Sequence, residues 1–142
     1  MKKVLLVGDS IRMSYEPLVK EKLNGIAQVV GPEENCRFAK YTLWEINGWI
    51  DKFGNPDIVH WNNGIWDIYH LNEEIGIFTP IEEYAKYISR ILRELRKTKA
   101  DIIWATTTPV NNKCVTCKNN EIDKYNDVII EFMHKENITI ND

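Results

Sequence analysis

Five short and almost continuous apolar runs recur along this chain, and each is followed by residues that favour a turn. Such runs are typical of strands buried on both faces of a parallel sheet, because a strand with one wet face alternates apolar and polar residues. The runs are Val4–Val7, Ala27–Val30, Ile58–Trp61, Ile102–Ala105 and Ile138–Ile140. We therefore predict five strands in one parallel sheet.

The segments between these runs have the apolar period of helices. In the clearest, Ile81–Leu95, the apolar side chains fall on one helical face. Thr79 supplies a predicted N-cap, Pro80 the first helical position and Glu82 the second half of a capping box. Further helices are predicted at Tyr15–Leu23, Phe38–Ile50 and from about Asn119 to Asn137. Alternating strands and helices predict a doubly wound, three-layer α/β/α sandwich that forms a single domain over residues 1–142.

The composition excludes several classes of protein. The 142 residues are 44% hydrophobic and 27% charged, which is typical of globular domains and not of disordered chains. The net charge of −3 leaves no basic stripe for phosphate groups, so we predict no nucleic-acid partner. The first apolar run is too short for a signal peptide, and no run reaches transmembrane length. We predict a cytoplasmic protein without a membrane partner.

The cysteines argue against a secreted, disulfide-bonded protein, because three is an odd number. Cys114 and Cys117 form a C-x-x-C motif in a polar stretch several residues after Pro109. A structural zinc site needs four ligands, and no second pair with suitable spacing follows. We interpret the motif as two loop thiols, with a redox or metal role as the alternative, and predict neither a metal nor a cofactor.

A polar cluster follows each predicted strand. The carboxyl ends of the strands lie along one edge of a doubly wound sheet, and ligands bind there. The clusters are Gly8–Ser10, Gly31–Cys36, Asn62–Asp67, Thr106–Pro109 and Asn141–Asp142. A small polar pocket is expected at this edge.

The first cluster, Gly8-Asp9-Ser10, allows three functions for Ser10. Gly8 permits a tight turn from strand to helix, which places Ser10 near a helix N-terminus. A hydroxyl group there can attack an acyl carbon, because nearby backbone N–H groups can hold the resulting oxyanion. The alternatives are that Ser10 only caps the helix, or that the turn binds an anion.

Several motifs together resemble those of the SGNH (GDSL-like) serine hydrolases. Gly8–Ile11 resembles the first block of this family, and Asp57–Asp67 is similar to its third block, G-x-N-D. Asn35-Cys36 occupies the place of the second block. Trp104–Val110 and Asp123–Asn126 are similar to a bacterial branch of the family, so the resemblance extends over essentially the whole chain. It implies a flavodoxin-like fold and the hydrolysis of carboxylic (acyl) esters through an acyl-enzyme.

The resemblance also implies roles for single residues. Ser10 would be the nucleophile, and its backbone N–H would share the oxyanion with a second-block glycine N–H and a third-block asparagine side chain. Here Arg37 or its neighbour Cys36 stands at the glycine, and a bulky residue resists positive φ. Trp66 stands at the asparagine, so its indole N–H or the amide of Asn63 is the candidate donor. The predicted catalytic residues are Asp9, Ser10, Asn63 and Gly64, and the oxyanion or pocket candidates are Cys36, Arg37 and Trp66.

The general base of the family is a histidine three residues after an aspartate, and that element would lie after Asp142. We therefore expect the chain to lack its C-terminal helix and base-bearing loop. A serine without a base is a weak nucleophile, so little activity is expected of this chain alone. The uncovered side of the sheet would offer an apolar patch for a homo-oligomer.

Three histidines are candidates to replace the missing base. His60 is predicted to pack inside the third strand, and His134 to face solvent from the last helix. Asp67 and His70 reproduce the D-x-x-H spacing just beyond the third strand. Our hypothesis is that His70 acts as the base and Asp67 orients it, and the alternative is a coincidental tetrapeptide with His70 in a surface loop.

Three functions remain open. The chain is a serine esterase acting on a small-molecule ester, a ligand-binding domain without catalysis, or a flavodoxin-like binder of nucleotide or phosphate. Arg37, Trp66 and the missing base favour the second function. The absence of a glycine-rich phosphate loop argues against the third. We predict the first.

Overall fold

A parallel five-stranded sheet forms the centre of the fold in this computed structural model, which describes residues 1–142. The strands are β1 (Lys2–Val7), β2 (Ala27–Val30), β3 (Ile58–Trp61), β4 (Asp101–Ala105) and β5 (Thr139–Asn141). Their order across the sheet is β2-β1-β3-β4-β5, and every neighbouring pair is parallel. The five predicted strands are confirmed, with shifts only at their ends.

Helices connect the strands. They are α1 (Ser10–Lys22), α2 (Ala39–Phe53), α3 (Ile65–Ile68), α4 (Ile81–Arg96) and α5 (Asn119–Lys135). The first helix begins earlier than predicted because the Asp9 carboxylate caps it, accepting the Ile11 N–H at 2.9 Å. None of the helices combines the length and the apolar composition needed to cross a membrane.

The start of α4 differs in detail from the prediction. Pro80 occupies the N-cap position, and no side chain caps the helix, so the predicted Thr79 cap and Glu82 capping box are wrong. Thr79 is buried, and its backbone N–H donates to Asp67 O at 2.9 Å. Thr79 therefore belongs to the buried loop before α4, and Pro80, which follows it, takes the N-cap position.

The two faces of the sheet are covered differently. One face carries α2, α4 and α5 over a continuous apolar core, to which β1 contributes Leu5 and Val7. The opposite face carries α1, which packs against β1 and β2. On that face Ile58, His60 and Ile103 are only half-buried. These layers confirm the predicted three-layer α/β/α sandwich.

Candidate active site

The turn after β1 places Ser10 at the first position of α1. A Cβ on Gly8 would lie 2.7 Å from Arg12 Cβ, so this turn requires glycine. Asp9 is buried, and its burial raises the pKa of its carboxyl group. Ser10 is exposed, and its Oγ has no hydrogen-bond partner within the chain. Because Asp9 caps the helix, the alternative in which Ser10 only caps it is wrong.

Arg12 holds the loop after β2 against this turn. The Arg12 side chain is buried and donates to Pro32 O at 2.9 Å and to Glu34 O at 2.7 Å. The same loop is tied to the turn by a hydrogen bond from Cys36 N–H to Gly8 O at 3.1 Å. Arg12 is therefore committed within the fold, which argues further against a phosphate-binding function.

The second-block residues donate to groups of the chain itself. Arg37 has φ of 56°, the left-handed conformation that favours glycine. Its N–H donates to Asn35 Oδ1 at 2.8 Å, and its guanidinium lies 4.6 Å from the centre of the Tyr41 ring. Cys36 is fully buried, which raises the pKa of its thiol to about 11. Neither backbone N–H of these two residues is free to hold an oxyanion in this arrangement.

Asn63 is buried, and its side-chain amide is fully hydrogen-bonded. The Nδ2 group donates to Thr42 Oγ1 at 2.8 Å and to Arg37 O at 3.2 Å, while Oδ1 accepts from Trp61 Nε1 at 2.8 Å. Asn63 therefore connects β3 to the loop after β2 and has no hydrogen left for an oxyanion.

Gly64 and Trp66 shape the turn after β3. A Cβ on Gly64 would lie only 1.9 Å from Thr107 Oγ1, so this close approach requires glycine. Trp66 is 39% exposed, and its ring lies 6.4 Å from that of Phe38, which in turn lies 4.9 Å from that of Phe78. These rings line an apolar cavity of about 500 Å³, here called the aromatic cavity. Its walls are Phe38, Ile65, Trp66, Tyr69, Leu71 and Phe78.

Asp67 and His70 do not form the predicted pair. Asp67 is fully buried, and both carboxylate oxygens accept the Ala39 N–H, at 3.1 and 3.0 Å, at the start of α2. Burial raises the pKa of this carboxyl group to about 7. His70 instead bonds through Nε2 to Glu121 Oε2 at 2.7 Å. The hypothesis that Asp67 orients His70 is therefore wrong, because Asp67 is committed to the N-terminus of α2.

A second cavity, of about 270 Å³, lies at the carboxyl edge of the sheet and is here called the polar cavity. It is lined by Gly8, Asp9, Ile11, Arg12, Tyr15, His60, Asn62, Ala105–Thr108, Asn141 and Asp142. His60 Nδ1 is 3.2 Å from Tyr15 Oη, and its Nε2 is 3.1 Å from Asn141 Nδ2. Burial lowers the pKa of His60.

Sequence analysis missed Tyr15 and His60 as cavity residues, whereas Asn62 lies in one of the polar clusters predicted for this edge. The position of His60 could have been predicted from the period of two along β3. Val59 and Trp61 point into the core, so the side chain of His60 between them points to the opposite face of the sheet. His134 is exposed on α5, as predicted. No histidine of the chain forms a hydrogen bond with Ser10.

Solved structures share this fold, although no family model and no curated protein sequence matches the chain. An acetyl xylan esterase, AlAXEase, superposes with a TM-score of 0.80 at 18% identity, over 97% of this chain and 75% of that chain. LAE5, an alpha/beta hydrolase enzyme from the metagenome of Lake Arreo in Spain, superposes with a TM-score of 0.79 at 18% identity, over 99% of this chain and 76% of that chain. A GDSL-like lipase from Bacteroides thetaiotaomicron superposes with a TM-score of 0.76 at 16% identity, over 98% of this chain and 67% of that chain.

The fold is that of the SGNH (GDSL-like) hydrolases. The resemblance predicted from the motifs is confirmed at this level. Within the SGNH fold of this chain, the first-block turn presents Ser10 with a free hydroxyl group. In the second and third blocks, the Arg37 N–H and the Asn63 amide donate to groups of the protein itself.

Proposed function

We propose that this domain hydrolyses small-molecule carboxylic esters and that Ser10 is its nucleophile. The observation that carries the proposal is the exposed Ser10 hydroxyl at the first position of α1, with the capping function supplied by Asp9. The first N–H groups of a helix have no helical acceptors and attract negative charge. An oxyanion next to Ser10 is therefore stabilised by the start of α1. The structural neighbours named as esterases and a lipase support the ester class.

The reaction proceeds through an acyl-enzyme. Ser10 Oγ adds to the carbonyl carbon and its proton passes to water, because no histidine contacts this hydroxyl group. The tetrahedral intermediate then collapses and expels the alcohol, which takes up a proton. Water hydrolyses the acyl-enzyme, releasing the acid and restoring Ser10. Losing the serine or histidine of a complete triad has cost about 10⁶-fold in turnover, so we expect weak hydrolysis from these residues alone.

A second function, ligand binding without catalysis, is favoured by one set of contacts. The Arg37 N–H and the Asn63 amide have partners within the chain, so neither is free to serve as an oxyanion donor. Trp66, which stands in the place of the third-block asparagine, lines the aromatic cavity instead. A domain of this kind would bind an apolar ligand and leave it intact.

Covalent labelling of Ser10 distinguishes the two functions. The chain is incubated for hours with a fluorophosphonate, and the intact mass is measured for the wild type, Ser10→Ala and Ser14→Ala. Ser14 is the matched control, because it is exposed on the same helix and its Oγ donates to Ser10 O at 2.9 Å. We expect one adduct in the wild type and in Ser14→Ala and none in Ser10→Ala. A wild type without adduct would overturn the esterase proposal and favour ligand binding.

A further inference from the structure

The C-x-x-C segment before α5 has one accessible and one buried thiol. Cys114 is half-buried in a turn that is closed by a hydrogen bond from its N–H to Asn111 O at 2.8 Å. Cys117 is 3% exposed and belongs to the apolar core. Val115, between them, is 85% exposed, so the segment runs along the surface and dips inward at its second cysteine.

The surroundings of the two thiols shift their pKa values in opposite directions. The Thr116 hydroxyl lies 3.4 Å from Cys114 Sγ. This hydroxyl, together with the backbone N–H groups of Thr116 and Cys117, lowers the pKa of Cys114. Burial, followed by the nearby Cys114 and Glu121, raises the pKa of Cys117 to about 11. A stabilised, accessible thiolate beside a protected thiol is the arrangement of an attacking and a resolving cysteine.

Cys114 and Cys117 are three residues apart in one surface segment, and the Cys117 thiol donates to Ile65 O at 3.9 Å. No third histidine, cysteine, aspartate or glutamate joins them in a group that could hold a metal ion. Cys36, the remaining cysteine, is fully buried on another part of the core and contacts Arg12. The geometry therefore favours chemistry between the two thiols over zinc binding.

We propose that Cys114 and Cys117 form a redox-active dithiol that small disulfides oxidise to an intramolecular disulfide. The Cys114 thiolate attacks one sulfur of the small disulfide, and the other sulfur leaves as a thiolate that takes up a proton. Cys117 then loses its proton and attacks Cys114 Sγ in the mixed disulfide. The second small thiol is expelled, so that one small disulfide is reduced to two thiols as the protein pair is oxidised. This proposal is independent of ester hydrolysis.

Intact-mass measurement after exposure to oxidised glutathione tests the proposal. The reduced chain is treated at pH 7, freed of excess reagent and compared with its variants. We expect the wild type to lose the mass of two hydrogens and to regain it with a dithiol reductant. Cys117→Ala should retain one glutathione on Cys114, and Cys114→Ser should not be modified. Cys36→Ser is the control that should behave as the wild type does.

Three outcomes would overturn the proposal. They are a wild type that stays reduced, a wild type that only accumulates mixed disulfides, and an intramolecular disulfide that Cys36→Ser abolishes. Because Cys117 is buried, its replacement can unfold the chain, so the circular dichroism of each variant is recorded. Iodoacetamide provides a readout on the wild type alone. At pH 7 we expect Cys114 to be alkylated before Cys36 and Cys117, and equal rates at the three positions would contradict the assignment.

Discussion

Two neighbouring residues of β4 point to opposite faces of the sheet and meet different surroundings. Trp104 is fully buried in the core beneath α2, α4 and α5, where its ring packs edge-on at 4.8 Å from that of Trp61. Ile103, on the face that carries α1, is only half-buried. On that second face β3 places His60 in the polar cavity. The tightly packed core thus lies on one face of the sheet, and the other face carries polar side chains and the polar cavity. Self-association through the less covered face stays a prediction.

The largest effect is expected from truncating side chains on the two faces of β4. Replacing a fully buried tryptophan by alanine costs about 3–5 kcal/mol of unfolding free energy, because it leaves a cavity. We expect Trp104→Ala to fall in this range and Ile103→Ala to cost less than about 2 kcal/mol, since its side chain is half-exposed. Urea unfolding followed by circular dichroism measures both. Equal losses would show that the second face is as tightly packed as the first.

A smaller effect on the unfolding free energy is expected from Asp67, whose carboxyl group is buried on the packed side. The pKa of Asp67 is raised from 3.8 to about 7, so its neutral form stabilises the fold. This contribution is fully present below the unfolded value and is lost as the pH rises through about 7. The slope is at most about 1.4 kcal/mol per pH unit for one proton. Asp67→Asn should flatten the decline in urea midpoint between pH 4 and 7. Parallel curves for variant and wild type would refute the assignment.

The smallest effect on the unfolding free energy is expected from His60, on the other face of the sheet. Burial lowers the pKa of His60 below 6.5, so its neutral ring stabilises the fold above that pH, and this contribution is lost as the pH falls through the lowered value. His60→Gln should remove this loss. Because glutamine can keep one of the two hydrogen bonds of His60, the substitution should cost no more than about 1.5 kcal/mol at pH 8, the range of one hydrogen bond. Unfolding curves at pH 5 and 8 test this prediction. His134→Gln is the control at an exposed histidine, and it should leave the unfolding free energy unchanged at both pH values.

Local sequence signals were sufficient for the sheet and for the position of Ser10. The apolar runs define the strands, and Gly8-Asp9-Ser10 predicts a tight turn into a helix, since both depend on neighbouring residues. The function of Asp67 was missed because its partner, the N–H of Ala39, is 28 positions away in the chain. Asn63 was assigned to catalysis for the same reason, because the groups that use its amide come from the distant loop after β2.

The contact between Gly64 and Thr107 has a consequence for how this protein varies over evolutionary time. Any side chain at position 64 would collide with the Thr107 hydroxyl, because even a Cβ lies 1.9 Å from it. A single mutation at position 64 is therefore expected to strain the turn after β3 as long as threonine occupies position 107. The two positions are expected to change together among descendants of this gene, with position 64 free to vary only after position 107 has become smaller.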